Sequence, residues 1–265
     1  MEYFQKNILD LENLPTQRPR LLPTLVKPLQ CTLNRQRVYL ISMNKRIIVA
    51  IDSFDADHAF SIINKLDSKL CMLKIGSVAF NSIGRDLIDY AFKQGFDIFL
   101  DLKLHDIPNT VKKTIQGLKS LPVKMLTIHS SGGVQMMKAA VEGAKDSGIK
   151  VFGVTALTSL SDADSMSIFQ RNAASQVEAM LDLAQEACID GVVCSPHELG
   201  LVKARGAFLS ITPGIRLTDT NDDQNRVMSP KKAIQLGADY LVIGRPITDA
   251  KDVLQSLNKI LQSIQ

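Results

Sequence analysis

From Arg46 onward the chain repeats one hydropathic rhythm. Short apolar runs rich in β-branched residues recur at Arg46–Asp52, Cys71–Ile75, Asp97–Lys103, Met125–His129, Val151–Ala156, Gly191–Ser195, Phe208–Thr212 and Tyr240–Ile243. Most are near-continuous rather than strictly alternating, as expected of parallel strands covered outside by helices. Helical spacing fills the intervals. Asp55–Leu66 sets Ala59, Ile62, Ile63 and Leu66 on one side, Ser82–Gln94 does so with Ile83, Leu87 and Ala91, and Ser175–Ala187 with Val177, Leu181 and Ala184. Ser229-Pro230 predicts a helix start, a capping hydroxyl followed by proline at the first helical position. Eight such units predict an α/β fold, a closed (β/α)8 TIM barrel in a single domain. An open doubly wound sheet is the competing architecture. It is weakened because no G-x-G-x-x-G follows the first strand.

Residues 1–42 break the rhythm. They hold no glycine and four of the ten prolines, and six basic residues against three acidic ones give +3 of the chain's +4. The apolar stretch Leu21–Leu29 is interrupted by Pro23, Lys27 and Pro28, and lies too deep for an ordinary signal peptide. Glu2, Asp10 and Glu12 argue against a transit peptide. The expected organisation is a weakly ordered extension over 1–42, with a short helix around Phe4, Ile8 and Leu11, and a barrel over 43–265. Met43 is a candidate alternative start.

Composition narrows the function classes. Apolar residues at 45% and charged residues at 22% describe a globular chain. No run approaches the roughly 18 apolar residues of a membrane span. A net charge of +4 is too small to argue for nucleic acid, and 5% aromatics without tryptophan offer no base-stacking platform. Cys31, Cys71, Cys188 and Cys194 form no CxxC pair and no metal-ligand cluster. They are expected to be free, mostly buried thiols of a cytoplasmic protein, and no metal is expected.

A barrel demands that functional residues collect at the C-terminal strand ends. A ring of polar residues meets that demand: Asp52, Lys74, Asp101, Lys103, Asp106, His129, Thr158, Thr212–Arg216 and Gly244-Arg245. The third strand is the most informative. Asp101 and Lys103 are two apart and share one face, while Leu100, Leu102 and Leu104 point toward the helices. Two ionisable residues then face the barrel interior, where unpaired charge is costly, and Lys74 on the adjacent strand supplies a second cation. The set fits a structural ion-pair network. It also fits a proton-donating site, in which carboxylates keep a lysine charged so that it can protonate a carbanion. His105 and His129 are read as packing residues.

The segment Asp101-Leu102-Lys103-Leu104-His105-Asp106-Ile107-Pro108-Asn109-Thr110 closely resembles the signature of the orotidine 5′-phosphate decarboxylase family. Companion motifs follow in order: Leu73-Lys74-Ile75-Gly76, Val154-Thr155-Ala156-Leu157-Thr158-Ser159, Thr212-Pro213-Gly214-Ile215-Arg216 and Val242-Ile243-Gly244-Arg245-Pro246. The similarity extends over nearly all of residues 45–262.

The resemblance implies decarboxylation of orotidine 5′-monophosphate to uridine 5′-monophosphate, the final step of de novo pyrimidine nucleotide synthesis, without cofactor or metal. Carried over by motif position, Lys103 would protonate C6 of the pyrimidine and Asp101 would sit beside the departing carboxylate. Lys74 and Asp106 would complete an alternating Lys-Asp-Lys-Asp array. Asp106, Ile107 and Thr110 would reach into the site of a second subunit, so a homodimer is implied. Asp52 suits ribose hydroxyls. Thr158 or Ser159 would bind near the pyrimidine or phosphate, and Gly244, Arg245 and Arg216 would serve the phosphate. The polar loop Arg216–Arg226 resembles the family's closing lid, with Gln224 contacting phosphate and base. Two other readings stay open: a magnesium-dependent sugar-phosphate decarboxylase or epimerase of the same barrel group, and an inactive nucleotide-binding barrel.

Overall fold

The structure, a computed structural model, describes residues 45–206, 208–217 and 227–265. The expected extension over 1–42, its short helix, Met43 and the lid residue Gln224 lie outside the described residues. Eight strands form where the apolar runs stand: β1 (Ile47–Ile51), β2 (Cys71–Gly76), β3 (Ile98–Leu104), β4 (Val123–His129), β5 (Lys150–Val154), β6 (Gly191–Val193), β7 (Leu209–Thr212) and β8 (Tyr240–Ile243). All pair in parallel in chain order, and β1 pairs with β8 to close the sheet. The closed (β/α)8 barrel is therefore the fold, and the open sheet is excluded.

The apolar runs are continuous because each strand is buried on both faces. One pleat face turns outward. Ile47, Val49, Ile51, Leu73, Ile75, Leu100, Leu126 and Ile128 join a core shared with helix residues such as Ile63, Leu87, Ile115 and Leu181. The other face turns inward, where Ile48, Met72, Phe99, Met125, Phe152 and Ile211 fill the barrel as a second cluster. Phe99 and Phe152 meet there edge to face, with ring centroids 6.4 Å apart. Alternation along each strand thus separates two apolar cores, and period 2 is invisible as a polarity pattern.

The helical expectations hold in outline. Asp55 caps the helix Ala56–Asn64 by accepting from the Asp57 amide. Ser229 accepts from the Lys232 amide and Pro230 opens the helix Pro230–Gln235. The pattern read over Ser82–Gln94 resolves into two helices, Ser77–Ile83 and Arg85–Lys93. Gly84 separates them at φ +81°, a conformation glycine adopts without steric cost. The helix read from Ser175 starts two residues earlier, at Ala173, with Asn172 as its cap. Among the described residues no helix is long and apolar enough to cross a membrane. Cys71 and Cys194 are free and buried, as expected. Cys188 is instead exposed, at the left-handed C-terminal cap of the helix Ala173–Ala187.

Close packing inside the barrel explains one residue choice. Gly191 sits on β6 in register with Phe152 on β5 and Leu209 on β7. A Cβ there would lie 2.4 Å from the Phe152 ring and 2.5 Å from the Leu209 carbonyl oxygen. Gly191→Ala is expected to destabilise the protein by about 1–3 kcal/mol, the usual cost of overpacking. A urea-unfolding midpoint unchanged from wild type would contradict this packing.

Candidate active site

The site stands one pleat step above the interior apolar layer. Two residues beyond Ile48, Met72, Phe99 and Met125 come Ala50, Lys74, Asp101 and Thr127, and period 2 turns all four inward. Lys74 Nζ lies 2.9 Å from Asp52 Oδ1 and 3.6 Å from Asp101 Oδ2. Lys103 Nζ lies 2.8 Å from the same Asp101 Oδ2. The other Asp101 oxygen, Oδ1, accepts a 2.8 Å hydrogen bond from the Thr127 hydroxyl. Within one chain the charges therefore run Asp52, Lys74, Asp101, Lys103. A Cβ on Gly76 would stand 2.7 Å from Lys74 Nζ, so the glycine leaves room for the ammonium.

Lys103 reaches this row by an irregularity. The β3–β4 register runs Leu100↔Leu126 and then Leu104↔Ile128, so β3 bulges by two residues. Lys103 has φ +49° within the bulge, a left-handed backbone costing a non-glycine residue roughly 1–2 kcal/mol. Its amide donates to Thr127 Oγ1 at 2.9 Å. Simple strand alternation predicts that Lys103 shares a face with Asp101, but the residue arrives there through a bulge that alternation does not foresee.

The electrostatics follow from burial and neighbours. Burial pushes the Asp101 carboxyl up, but Lys74, Lys103 and hydrogen bonds from Lys103 and Thr127 outweigh it, holding the group below the usual carboxylate range. Asp101 is therefore ionised at neutral pH. His129, at the end of β4, is packed against His105 with ring centroids 5.3 Å apart. Burial first, then the nearby His105 and Lys103, hold its imidazole below the ordinary value, against the weaker pull of Asp101.

A cavity of about 600 Å³ opens over the row. Its walls bring together Asp52, Lys74, Asp101, Lys103, Thr158, Arg216, Gly244 and Arg245, all selected from the sequence. Asp106, Ile107 and Thr110 do not line it; they are exposed beyond the end of β3. The Asp106 carboxylate accepts from the amide of Ile107 at 2.6 Å. Sequence reasoning missed Ser53 and His58, which line the cavity and approach each other at 3.2 Å (Oγ to Nδ1). It also missed the apolar wall of Val193, Ile211 and Val242, and it missed Thr127. Thr127 gave no signal in the sequence, because its position two residues beyond the inward Met125 appears only once the barrel is closed.

Four cations line the cavity, Lys74, Lys103, Arg216 and Arg245, against three carboxylates, Asp52, Asp101 and Asp249, so the site suits an anionic ligand. Among the described residues no group of three or more metal-ligating side chains is assembled. A closed (β/α)8 barrel with a lysine–aspartate row at its C-terminal mouth defines the class: a barrel enzyme acting on an anionic substrate.

Comparison with known proteins narrows the class. Residues 45–260 match the Orotidine 5′-phosphate decarboxylase / HUMPS family, and the chain belongs to that family. It is similar to a protein named orotidine 5′-phosphate decarboxylase from Ehrlichia canis, 45% identical over 221 residues, spanning 82% of this chain and 97% of the relative. The protein of that name from Shewanella sediminis is 45% identical over 229 residues, 83% of this chain and 97% of the relative. The crystal structure of orotidine 5′-phosphate decarboxylase from Lactobacillus acidophilus superposes with a TM-score of 0.73 at 35% identity, covering 83% of this chain and 99% of that one. The family resemblance read from the strand motifs is thus borne out.

The depressed His129 imidazole has a consequence for stability. Stability rises with pH wherever the unfolded chain binds more protons than the folded one. Unfolded His129 takes up a proton near its ordinary pKa of about 6.5, whereas the folded group resists it. Its contribution is present above that pH and is lost as the pH falls below it. His129→Gln is expected to flatten the fall in unfolding free energy between about pH 7 and pH 5. An unchanged slope in denaturant titrations at those pH values would refute the assignment.

Proposed function

We propose that the chain decarboxylates orotidine 5′-monophosphate to uridine 5′-monophosphate and carbon dioxide, the last step of de novo pyrimidine nucleotide synthesis. The observation that carries this reading is the Lys103–Asp101–Lys74 arrangement. A charged lysine stands 2.8 Å from a buried carboxylate at the floor of a cavity that also holds two arginines. Support comes from relatives 41–45% identical over most of the chain, all named for this reaction.

In this reading the bond from C6 to the carboxylate breaks, and its electron pair stays on C6. Lys103 Nζ gives a proton to that carbon and becomes a neutral amine. Asp101, held ionised, fixes the Lys103 ammonium at 2.8 Å and lies beside the leaving carboxylate. The ammonium is already in place, so stabilising the developing charge requires no solvent reorganisation. Asp52 holds ribose hydroxyls, and Thr158 binds near the pyrimidine or phosphate. Arg245, Arg216 and the backbone at Gly244 take the phosphate. A Cβ on Gly244 would meet only Ala50 Cβ, at an ordinary 3.5 Å; its backbone, at φ −104° and ψ −106°, lies outside the regions that L residues favour and accounts for the glycine. Gln224 would close on phosphate and base. No organic cofactor or metal enters these steps.

Asp106, Ile107 and Thr110 belong, in this reading, to the cavity of a second copy. Ile107 is a large apolar side chain 66% exposed beside the barrel mouth, and burial against another subunit would remove it from water. The enzyme is therefore proposed to be a homodimer with shared sites.

Loss of orotidine 5′-monophosphate absorbance should proceed in EDTA. Turnover that depends on magnesium would instead favour a sugar-phosphate lyase of the same family. Lys103→Ala is expected to lower kcat by about 10³-fold or more, the scale of a lost general acid, with substrate affinity largely kept. A variant retaining the wild-type rate would overturn the assignment. Mixing Lys103→Ala and Asp106→Ala chains should restore roughly a quarter of wild-type activity at equal ratio, because half the dimers then hold one intact site. Dimers shown to exchange without recovery would refute the shared site.

A further inference from the structure

We infer that Thr127 is a positioning residue of the site, pinning Asp101 and the backbone of Lys103 through one hydroxyl; its role in turnover rests on the function proposed above. Thr127 lies mid-strand on β4 and is completely buried. It does not line the cavity, so it has no part in binding substrate directly.

The hydroxyl has one proton and two lone pairs. The Lys103 amide can only donate, so at 2.9 Å Thr127 Oγ1 must accept from it. An ionised carboxylate can only accept, so at 2.8 Å the hydroxyl proton goes to Asp101 Oδ1. Both directions are forced, and each sets one part of the row. The bond to Oδ1 turns the carboxylate so that Oδ2 faces Lys103 Nζ at 2.8 Å and Lys74 Nζ at 3.6 Å. The bond from the amide holds Lys103 where β3 has left its register with β4, in a left-handed conformation that a lysine rarely adopts. A residue with no hydrogen-bonding group at 127 would leave a bulged amide and one buried carboxylate oxygen without these partners.

The opposing account is that Thr127 only fills space between β3 and β4. Thr127→Val separates the two, since valine keeps the shape and removes the hydroxyl. Expected are a fall in kcat of about 10²-fold, the scale of a misplaced catalytic group, with KM within about threefold of wild type. Thr127→Ser, which keeps the hydroxyl, should return kcat to within about threefold. A hydroxyl-free variant with wild-type kcat, or a serine variant as impaired as the valine one, would overturn the inference. If Thr127→Val fails to fold, Thr127→Ala is read by the same criteria.

A second measurement does not depend on the reaction. In the substrate-free protein, a carbon-13 NMR titration of the Asp101 carboxyl should move to higher pH in Thr127→Val and stay near wild type in Thr127→Ser. An unmoved titration in the valine variant would overturn the pin. A wild-type protein that leaves orotidine 5′-monophosphate unchanged would sink the proposed function alone, and the titration would then decide the pin by itself.

Discussion

The site depends on one carboxylate kept ionised where water is scarce. Asp101 is held between Lys74 and Lys103, with Thr127 on its second oxygen. Isolated, such a carboxylate would be driven toward its neutral acid by burial. Paired, it stays charged. The carboxylate thus depends on its cations, and removing one partner of a buried pair typically costs about 3–5 kcal/mol. A buried row of this kind is poor value as a stabiliser, because well-packed apolar residues do as well or better. Its retention at the floor of a cavity therefore speaks for chemistry over structure.

The barrel supplies what the row needs. Parallel strands buried on both faces place every inward side chain at a fixed height. Met72, Phe99 and Met125 make a dry floor, and two residues later the same faces carry Lys74, Asp101 and Thr127. The charges sit directly on an apolar layer, which lowers the local dielectric and strengthens their mutual attraction. Regular pleating is not enough for the fourth member. Lys103 needs the bulge between Leu100 and Leu104, and the strain of its left-handed backbone is stored at the edge of the cavity. Strain of this sort persists only where surrounding bonds over-determine it.

Much of this was legible in the chain. The eight apolar runs mark the observed strands to within two residues at every end, because a short run of Ile, Val and Leu bounded by polar residues suits a parallel strand buried on both faces. The charged residues at the strand ends stood out because a barrel interior tolerates them only for a reason. What stayed hidden has a physical cause in each case. Gly84 splits a helix through backbone conformation, which apolar spacing does not record. The bulge at Lys103 arises from pairing with β4, a contact across 24 residues of sequence. Thr127 lay within an apolar run and read as a strand former. Its weight comes from the two atoms it meets, and only the closed sheet brings them to it.

The exposed end of the signature motif sharpens the case for a second subunit. The segment from Asp101 to Thr110 divides sharply in its surroundings. Asp101 is buried in its own barrel, while Asp106, Ile107 and Thr110 face outward. A carboxylate and an isoleucine at the rim contribute nothing to the cavity of the chain that carries them. In a C2 assembly the same rim would meet its copy, and each chain would deliver these residues across the axis. The intrachain row ends on Lys103, a cation with solvent on its open side and 35% of its side chain exposed. A partner carboxylate arriving there would continue the alternation of charge and cover the exposed part of Lys103.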